Sequence, residues 1–397
     1  MGAVTPLAKI AKWAALLALI LIPVAVWVGY SLGARVHYAD NPLALDWDQE
    51  GPYVFVEGDG DLSIEYIRQD ADGSRRVERT EHSTPVGPGL VATIHYPLDA
   101  TSFDVAIRTE FDIPPGVYDD GNKIFAISDL ESNYGTFRDF LIDAGVIDEQ
   151  LNWTFGPGHL VLVGDFVDRG YFTTQTLWLI YKLEQAAQEQ GGYVHYIIGN
   201  HELKMMYGDY GVTDPKYAEV ASLLGKEQTD LYGSDSVLGR WMASKNPVER
   251  INGNLFVHGG MHPDLADRDW DIDEINETIR QTYYERVGSA RSGQPGQETG
   301  ILVSRETGPC WYRGYFKDKP AQEQIDAVLR KFGAKAVVVG HSIQNSVNRK
   351  FDGKVVAIDV QHPNDDHKLW PEGHSEALLI DGESYYRVLQ GGTKEPI

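Results

Sequence analysis

Gly164-Asp165-Phe166-Val167-Asp168-Arg169-Gly170 follows directly on an apolar run at residues 159–163, and Gly199-Asn200-His201-Glu202 follows directly on another at 193–198. Short apolar runs bounded by glycine read as buried strands of a layered α/β domain. Polar groups that leave the carboxyl ends of neighbouring strands converge in one crevice, where such sheets bind ligands. These two stretches therefore bring carboxylates, an amide and an imidazole together, a mixture of donors that suits divalent metals.

The same arrangement recurs along the chain. From residue 123 strands are expected at 124–127, 159–163, 193–198, 255–257 and 336–339, alternating with helices at 136–144, 174–189, 272–284 and 321–332. Such alternation implies mainly parallel sheets with helices outside. The end of the chain reads differently. Segments 354–359, 376–380 and 385–389 are expected to complete one sheet as antiparallel members, with Asp381-Gly382 as a tight turn. Residues 204–250 and 285–310 are more polar, show no clear strand, and are placed at the border of the crevice. Five polar clusters follow five apolar runs: Asp129-Leu130-Glu131-Ser132-Asn133, the Asp165 segment, Asn200-His201-Glu202, His258-Gly259-Gly260 and Gly340-His341-Ser342. Asp129, Asp165, Asn200, His258 and His341 lie 36, 35, 58 and 83 residues apart in succession, room for a crossover in every gap.

In these motifs the sequence resembles the calcineurin-like metallophosphoesterases, and within them the phosphoprotein-phosphatase branch, through its Gly-Asp-x-x-Asp-Arg-Gly, Gly-Asn-His-Glu and His-Gly-Gly signatures. The Trp311-Tyr312-Arg313 segment is similar to the bacterial Shewanella-like members of that branch. The resemblance covers roughly residues 121–390. It implies a four-layer α/β/β/α domain holding two divalent metals bridged by Asp165 and a solvent molecule. Asp129, Glu131 and Asp165 would hold the first metal; Asp165, Asn200, His258 and His341 the second. Elementary electrostatics agrees, since three crowded carboxylates repel and one takes up a proton unless cations neutralise them. Two ions roughly 3.5–4 Å apart would do so and would lower the pKa of a bridging water.

One departure stands out. The family's first motif is usually Asp-x-His, and here it is Asp129-Leu130-Glu131. An all-carboxylate first site suits Mn²⁺ or Mg²⁺ better than Zn²⁺ or a redox iron. The remaining roles follow from charge and reach. His201 is the expected general acid, oriented by Asp168. Arg169 offers a planar fork for two phosphate oxygens. Arg313 is a second clamp or a structural arginine stacked between Trp311 and Tyr315, and Arg240 a weaker third. Glu202 reads as a support for the ligands and not as one of them, and Asn133 as a phosphate contact or a helix N-terminal residue. His262, His362, His367 and His374 follow no comparable strand and are taken as surface or structural residues. Cys310 has no paired base and is taken as packing.

The chain has 397 residues and a formal net charge of −23, enough for one large domain and a smaller one. A surface this acidic repels phosphate backbones, so nucleic acid is excluded as a partner over any broad face. A phosphorylated substrate needs a local positive site of metals and arginines. The single cysteine excludes an intramolecular disulfide. Near the amino terminus, residues 13–32 carry no charge, enough to cross a hydrocarbon core at ~1.5 Å per residue. A cleavable signal peptide ending at Ser31-Leu32-Gly33 is the rival reading, although the run exceeds the usual apolar region of such peptides. Lys9 and Lys12 before the span put the amino terminus in the cytoplasm and the body outside it, in a periplasm-like space.

The expected organisation is a membrane anchor over 1–35 with its transmembrane helix at 13–32, a polar linker over 36–50, a small antiparallel β domain over 51–118 that packs on its neighbour, and the metallophosphoesterase domain over 119–397. The expected activity is hydrolysis of phosphate monoesters, serine/threonine-phosphatase-like, by a metal-bridging hydroxide with His201 as acid. Cleavage of dinucleoside polyphosphates or lipid-linked pyrophosphates is the alternative. A tethered binding module with a vestigial metal site is the alternative of another class.

Overall fold

The computed structural model describes residues 6–31, 34–58, 60–83, 89–285 and 299–397; within its first helix it describes the side chains of 13, 16–26, 28 and 29. Helix α1 (Pro6–Ser31) carries Leu16, Leu17, Leu19, Ile20, Leu21 and Ile22 exposed on its surface. Among the described residues no helix is long and apolar enough to cross a membrane. The span expected over 13–32 and the rival cleavage site at Ser31-Leu32-Gly33 lie partly outside the described residues.

Residues 36–50, read as a linker, are tied down. Strand β1 (Val36–Asp40) pairs antiparallel with a distant strand at His367–Trp370. Ala44 and Trp47 are buried, and Arg75 lies 3.5 Å over the Trp47 ring. The acidic residues around Trp47 made this segment read as solvated, whereas its two apolar side chains decide its place. Strands β2 (Glu50–Val56), β3 (Leu62–Gln69) and β4 (Arg75–His82) form an antiparallel sheet. Strands β5 (Val91–Tyr96) and β6 (Thr101–Ala106) form a separate hairpin. Tyr53, Phe55, Leu62, Ile94 and Val105 join the same hydrophobic core as Phe137, Trp178 and Tyr181 of the region that follows.

From β7 (Val117–Tyr118) onward the chain alternates: β8 (Ile124–Ile127), α2 (Tyr134–Asp143), β9 (His159–Leu162), α3 (Thr173–Glu189), β10 (Tyr193–Tyr196) and α4 (Asn200–Tyr207). Helices α5 (Lys216–Leu224) and α6 (Val237–Ala243) occupy the polar stretch that showed no strand. Next come β11 (Val248–Ile251), β12 (Asn254–Val257), α7 (Ile272–Arg280), β13 (Ala336–Val339), β14 (Asn348–Lys350), β15 (Val355–Ala357), β16 (His367–Trp370), β17 (Glu376–Asp381), β18 (Ser384–Leu389) and β19 (Lys394–Pro396). The caps are local: Asp271 accepts from the Glu274 N–H at 2.8 Å to start α7, and Ser236 from the Gly239 N–H at 2.8 Å to start α6.

Two six-stranded sheets result, ordered β10-β9-β8-β17-β18-β19 and β14-β15-β13-β12-β11-β7. Strand parity explains their stacking. Ile124, Ala126, Val161 and Val163 of the first sheet share an inner core with Phe256, Val338, Val356 and Ile358 of the second. The alternate residues Phe125, Ile127, Leu160 and Leu162 join the outer core with Phe140, Leu177 and Trp178 of α2 and α3. Leu255, Val257, Val337 and Val339 do the same with Ile275, Ile279 and Ile325. Helices thus cover both outer faces, giving α/β/β/α layers. The carboxyl-terminal strands correct one expectation. Of the three expected segments, β17 and β18 are antiparallel additions to the first sheet, extended by β19, whereas β15 runs parallel to β13 in the second. Its Val-Val-Ala sequence is buried on both sides, so no alternation marked its partner.

Candidate active site

Five loops leave the carboxyl ends of β8, β9, β10, β12 and β13, and their polar residues meet where the two sheets abut. A polar cleft of ≈ 170 Å³ is lined there by Asp129, Glu131, Asp165, Arg169, Arg313 and His341, with Asp359 beside them. The loops are backbone-strained. Asp129, Glu131, Ser132, Asp165, Asp168, Arg169 and His341 all have φ between 50° and 66°, a region that side-chain-bearing residues enter rarely. Strain of this kind persists only where the surroundings enforce it. Here the enforcing groups include Glu202, which is fully buried and accepts from the N–H of Asp165 (3.0 Å), Phe166 (2.8 Å) and Gly199 (2.9 Å) and from Tyr196 O–H (2.8 Å).

One corner of the cleft holds the residues expected at the second metal. His258 Nδ1 lies 2.7 Å from the Val163 carbonyl and His341 Nε2 lies 2.9 Å from the Trp311 carbonyl. A carbonyl only accepts, so each of those nitrogens carries its ring's proton. The other two nitrogens, His258 Nε2 and His341 Nδ1, then face each other 3.1 Å apart, with Arg313 Nη2 3.3 Å from His341 Nδ1. Asn200 Oδ1 stands 3.1 Å and Asp165 Oδ2 3.0 Å from the same His258 Nε2. Four lone-pair donors converging at one point repel unless a cation or a proton sits among them. Without a cation, the proton goes to His258. Burial lowers its pKa, but the Asp165 carboxylate outweighs burial and lifts it to about 9, while burial and the charge on His258 push His341 down to about 2. The ligand atoms of Asp165, His258 and His341 fit within 4.8 Å of one another. This donor set fits a divalent ion, with both imidazoles oriented by carbonyls behind them.

The residues expected at the first metal line the same cleft but are engaged differently. Asp129 Oδ2 accepts from the His341 N–H at 3.1 Å. Its carboxyl is held well above the ordinary range by burial and then by the neighbouring charge of Asp359. Asp165 is the reverse case: burial would raise it, and His258 and His201 more than compensate, so it stays ionised. Glu131 Oε1 accepts from Arg169 Nη1. Burial lifts Glu131 to about 7, against the pull of Arg169.

His201 Nδ1 pairs with Asp168 Oδ2 at 3.0 Å, and Thr213 Oγ1 donates to the other Asp168 oxygen at 2.5 Å. The His201 N–H donates to Asp165 Oδ1 at 2.9 Å. Its Nε2 points toward Arg169 Nη2 and Lys204 Nζ, each 3.4 Å away. Burial works against protonation of His201, but Asp165 and Asp168 raise its pKa overall. Arg313 is not stacked between aromatic rings; it donates to the His341 carbonyl and to Ser342 Oγ at 3.4 Å. Arg305 and Lys204 are the cations over Trp311, at 4.9 and 5.6 Å.

Of the remaining readings, that of Arg240 is displaced. Arg240 donates to the Ser234 carbonyl at 2.6 Å and does not line the cleft, because α6 directs it elsewhere. Asn133 lines the cleft and stands at the N-cap of α2 without a side-chain cap bond; its amide donates to the Leu130 carbonyl at 2.8 Å and its oxygen accepts from Asp365 N–H at 3.0 Å. His362 is buried between Ser375 Oγ and the Ser128 carbonyl, each at 3.0 Å, and burial holds it down at about 4. His262 caps a short turn, the His367 ring lies tilted against that of His37, and His374 faces Glu376. Cys310 is buried, and burial pushes its thiol up. Sequence reasoning passed over Lys204, Thr213 and Asp359. Asp359 had a readable signal, a carboxylate just beyond an apolar strand.

The calcineurin-like phosphoesterase family model matches residues 122–345. The crystal structure of a cold-active protein-tyrosine phosphatase of a psychrophilic Shewanella sp. superposes with a TM-score of 0.74 at 29% identity, covering 88% of this chain and 99% of that one. Shewanella-like protein phosphatase 2 of Arabidopsis thaliana is 24% identical over 75% of this chain and 83% of its own length. Shewanella-like protein phosphatase 1 of Plasmodium berghei is 26% identical over 56% of this chain and 62% of its own. With this fold, this ordered set of loops and these relatives, the chain belongs to the calcineurin-like phosphoesterases, hydrolases that act on phosphoesters.

Proposed function

We propose that this protein hydrolyses phosphate monoesters, those of phosphorylated proteins among them, with two divalent ions in the cleft. The observation that carries the reading is the convergence of Asp165 Oδ2, Asn200 Oδ1, His258 Nε2 and His341 Nδ1, 3.0–3.1 Å around one imidazole nitrogen, beside the His201–Asp168 pair. Asp129, Glu131 and Asp165 would hold the first ion through oxygen alone, which favours Mn²⁺ there; Asp165, Asn200, His258 and His341 would hold the second. When bound, the ions supply a water of lowered pKa as nucleophile and offset the phosphate's charge. Arg169 and Arg313 orient the phosphate oxygens from the cleft wall. His201, held by Asp168, donates its proton to the departing alkoxide or phenoxide. Attack by water leaves no phosphorylated side chain, and buried Cys310 plays no part.

The relatives include a protein-tyrosine phosphatase, Shewanella-like protein phosphatases and, at 28% identity over 43% of this chain, a serine/threonine-protein phosphatase of Aspergillus fumigatus, which supports a phosphoprotein or a small aryl or alkyl monoester as substrate. The uncharged run at 13–32, with the exposed leucines and isoleucines of α1, supports attachment to a bilayer and a body on its extracytoplasmic side. The deciding experiment loads the full chain with Mn²⁺ and compares p-nitrophenyl phosphate, phosphotyrosyl and phosphoseryl peptides, bis-p-nitrophenyl phosphate and a dinucleoside polyphosphate. Monoesters are expected to show the highest kcat/KM. A preference for the diester or the polyphosphate would overturn the reading, and absence of turnover on all of them would point to a binding module.

A further inference from the structure

Asp359 leaves the second sheet where a ligand would. Strands β13 and β15 run parallel with Val339 opposite Ala357, so His341 and Asp359 each lie two residues beyond a paired position. The backbone there is pinned: Ile358 N–H donates to the Val339 carbonyl at 2.9 Å and Gln344 N–H to the Asp359 carbonyl at 2.8 Å. The side chain is 6% exposed and lines the cleft with Asp129, Glu131 and Asp165. Among the described residues, no N–H or O–H donates a hydrogen bond to its carboxylate. The charges acting on it are repulsive from Glu131 and Asp165 and attractive from Arg313 and Arg169. A carboxylate held in a cleft among three other acids, with no donor of its own and only the cleft's solvent to hydrate it, is incompletely satisfied, and a cation in the cleft would complete it.

We infer that Asp359 is a further oxygen ligand of the first metal, joining Asp129, Glu131 and Asp165; the inference rests on the two-metal reading proposed above. It also accounts for Glu131. With Arg169 on one of its oxygens, Glu131 is a shared group, bound partly to the phosphate-orienting arginine. Asp359 makes up the donor strength that such sharing takes from the first site. The competing account is that Asp359 stays protonated or merely neutralises Arg313, and it predicts metal binding indifferent to this residue.

The test replaces Asp359 by Asn, which keeps shape and removes charge, and by Ala, with far-UV circular dichroism to verify the fold. Manganese bound per chain is measured by equilibrium dialysis, the exchange-coupled pair by electron paramagnetic resonance, and Tm with and without Mn²⁺. The wild type is expected to bind two coupled ions. D359N should keep one, bind the other about tenfold more weakly or worse, and lose the coupled signal at limiting Mn²⁺. Its metal-free Tm should rise, because a like charge has left the cluster, and its gain in Tm on adding Mn²⁺ should shrink. Two coupled ions at wild-type affinity in D359N would overturn the assignment while leaving the two-metal reading intact. A wild type that binds no Mn²⁺ would overturn both.

Discussion

At the scale of single residues, the active site is a set of groups prevented from satisfying one another. His258 and His341 each direct one N–H at a main-chain carbonyl and turn the other nitrogen inward. His201 differs, since its Nδ1 faces a carboxylate and its Nε2 faces two cationic side chains. Raised in pKa by Asp165 and Asp168, it is suited to hold a proton and release it to a leaving oxygen. Replacing it with alanine should lower kcat ~10²–10⁴-fold on an alkyl phosphate, the range for a lost general acid. The loss should shrink toward unity as the leaving group becomes a nitrophenoxide, which needs no proton. Equal losses on both substrates, measured under saturating Mn²⁺, would assign His201 to ground-state structure instead. Most of this was legible beforehand because each expected ligand follows its strand within four residues. Asp359 was missed because 354–359 read as an antiparallel strand with Asp359 as its last residue, whereas β15 ends at Ala357 and Asp359 leaves it as a loop residue. Lys204 and Thr213 carry no motif; only the turn of α4 and the 209–213 loop bring them to His201 and Asp168.

Among elements, the joint of β2 with α5 and α3 is a buried ion pair with an added amide donor, not an apolar seam alone. Glu50 at the start of β2 accepts from Lys216 Nζ on α5 (2.9 Å), Gln175 Nε2 on α3 (3.0 Å) and Tyr53 O–H (2.9 Å). Both charges are about 95% buried. Removing one partner leaves the other uncompensated, at a cost of roughly 3–5 kcal/mol, whereas removing both costs much less. Lys216→Met and Glu50→Gln should therefore each destabilise strongly and the double variant less than their sum, read from urea denaturation as a double-mutant cycle. A second device spans the two sheets. Asp120, His159, His195 and Glu249 form a chain with contacts of 3.0, 2.9 and 2.6 Å, flanked by Tyr118 and Tyr193. Burial and the neighbouring imidazole lower the pKa of His159. A lowered histidine binds its proton less readily folded than unfolded, so stability should fall as pH drops below ~6.5 and level off below the folded value. His159→Gln should flatten that slope, checked by denaturation at pH 5 to 7.5. Neither device was readable in advance. Alternation and apolar runs reveal which strands exist, but a charged edge strand such as β4, with its Arg-Arg-Val-Glu-Arg-Thr-Glu-His sequence, presents little hydrophobic period.

The whole molecule carries −23 formal charges on a chain that acts on phosphoesters. A phosphate monoester approaching it meets two fields of different range. The attractive one is local, from Arg169, Arg313 and Lys204 around the cleft, together with whatever cations the carboxylates hold. The repulsive one is spread over the acidic surface and acts at longer distance. Screening separates them, because the Debye length falls from about 30 Å at 0.01 M salt to about 8 Å at 0.15 M. Added salt removes the distant repulsion first and touches the contacts inside the cleft least. For a small dianionic monoester kcat/KM should therefore rise a few-fold, of the order of 2–5, across that range, with kcat nearly constant. A phosphopeptide rich in lysine and arginine should respond with the opposite sign, since its approach is aided by the same acidic surface. The comparison bears on the natural substrate as well as on the field. If the basic peptide at low salt surpasses every small ester in kcat/KM, the acidic body is part of substrate selection, and the substrate is a cationic phosphoprotein. If kcat/KM for the small ester falls with salt instead, the cleft's own positive field governs encounter, and the surface charge serves solubility alone.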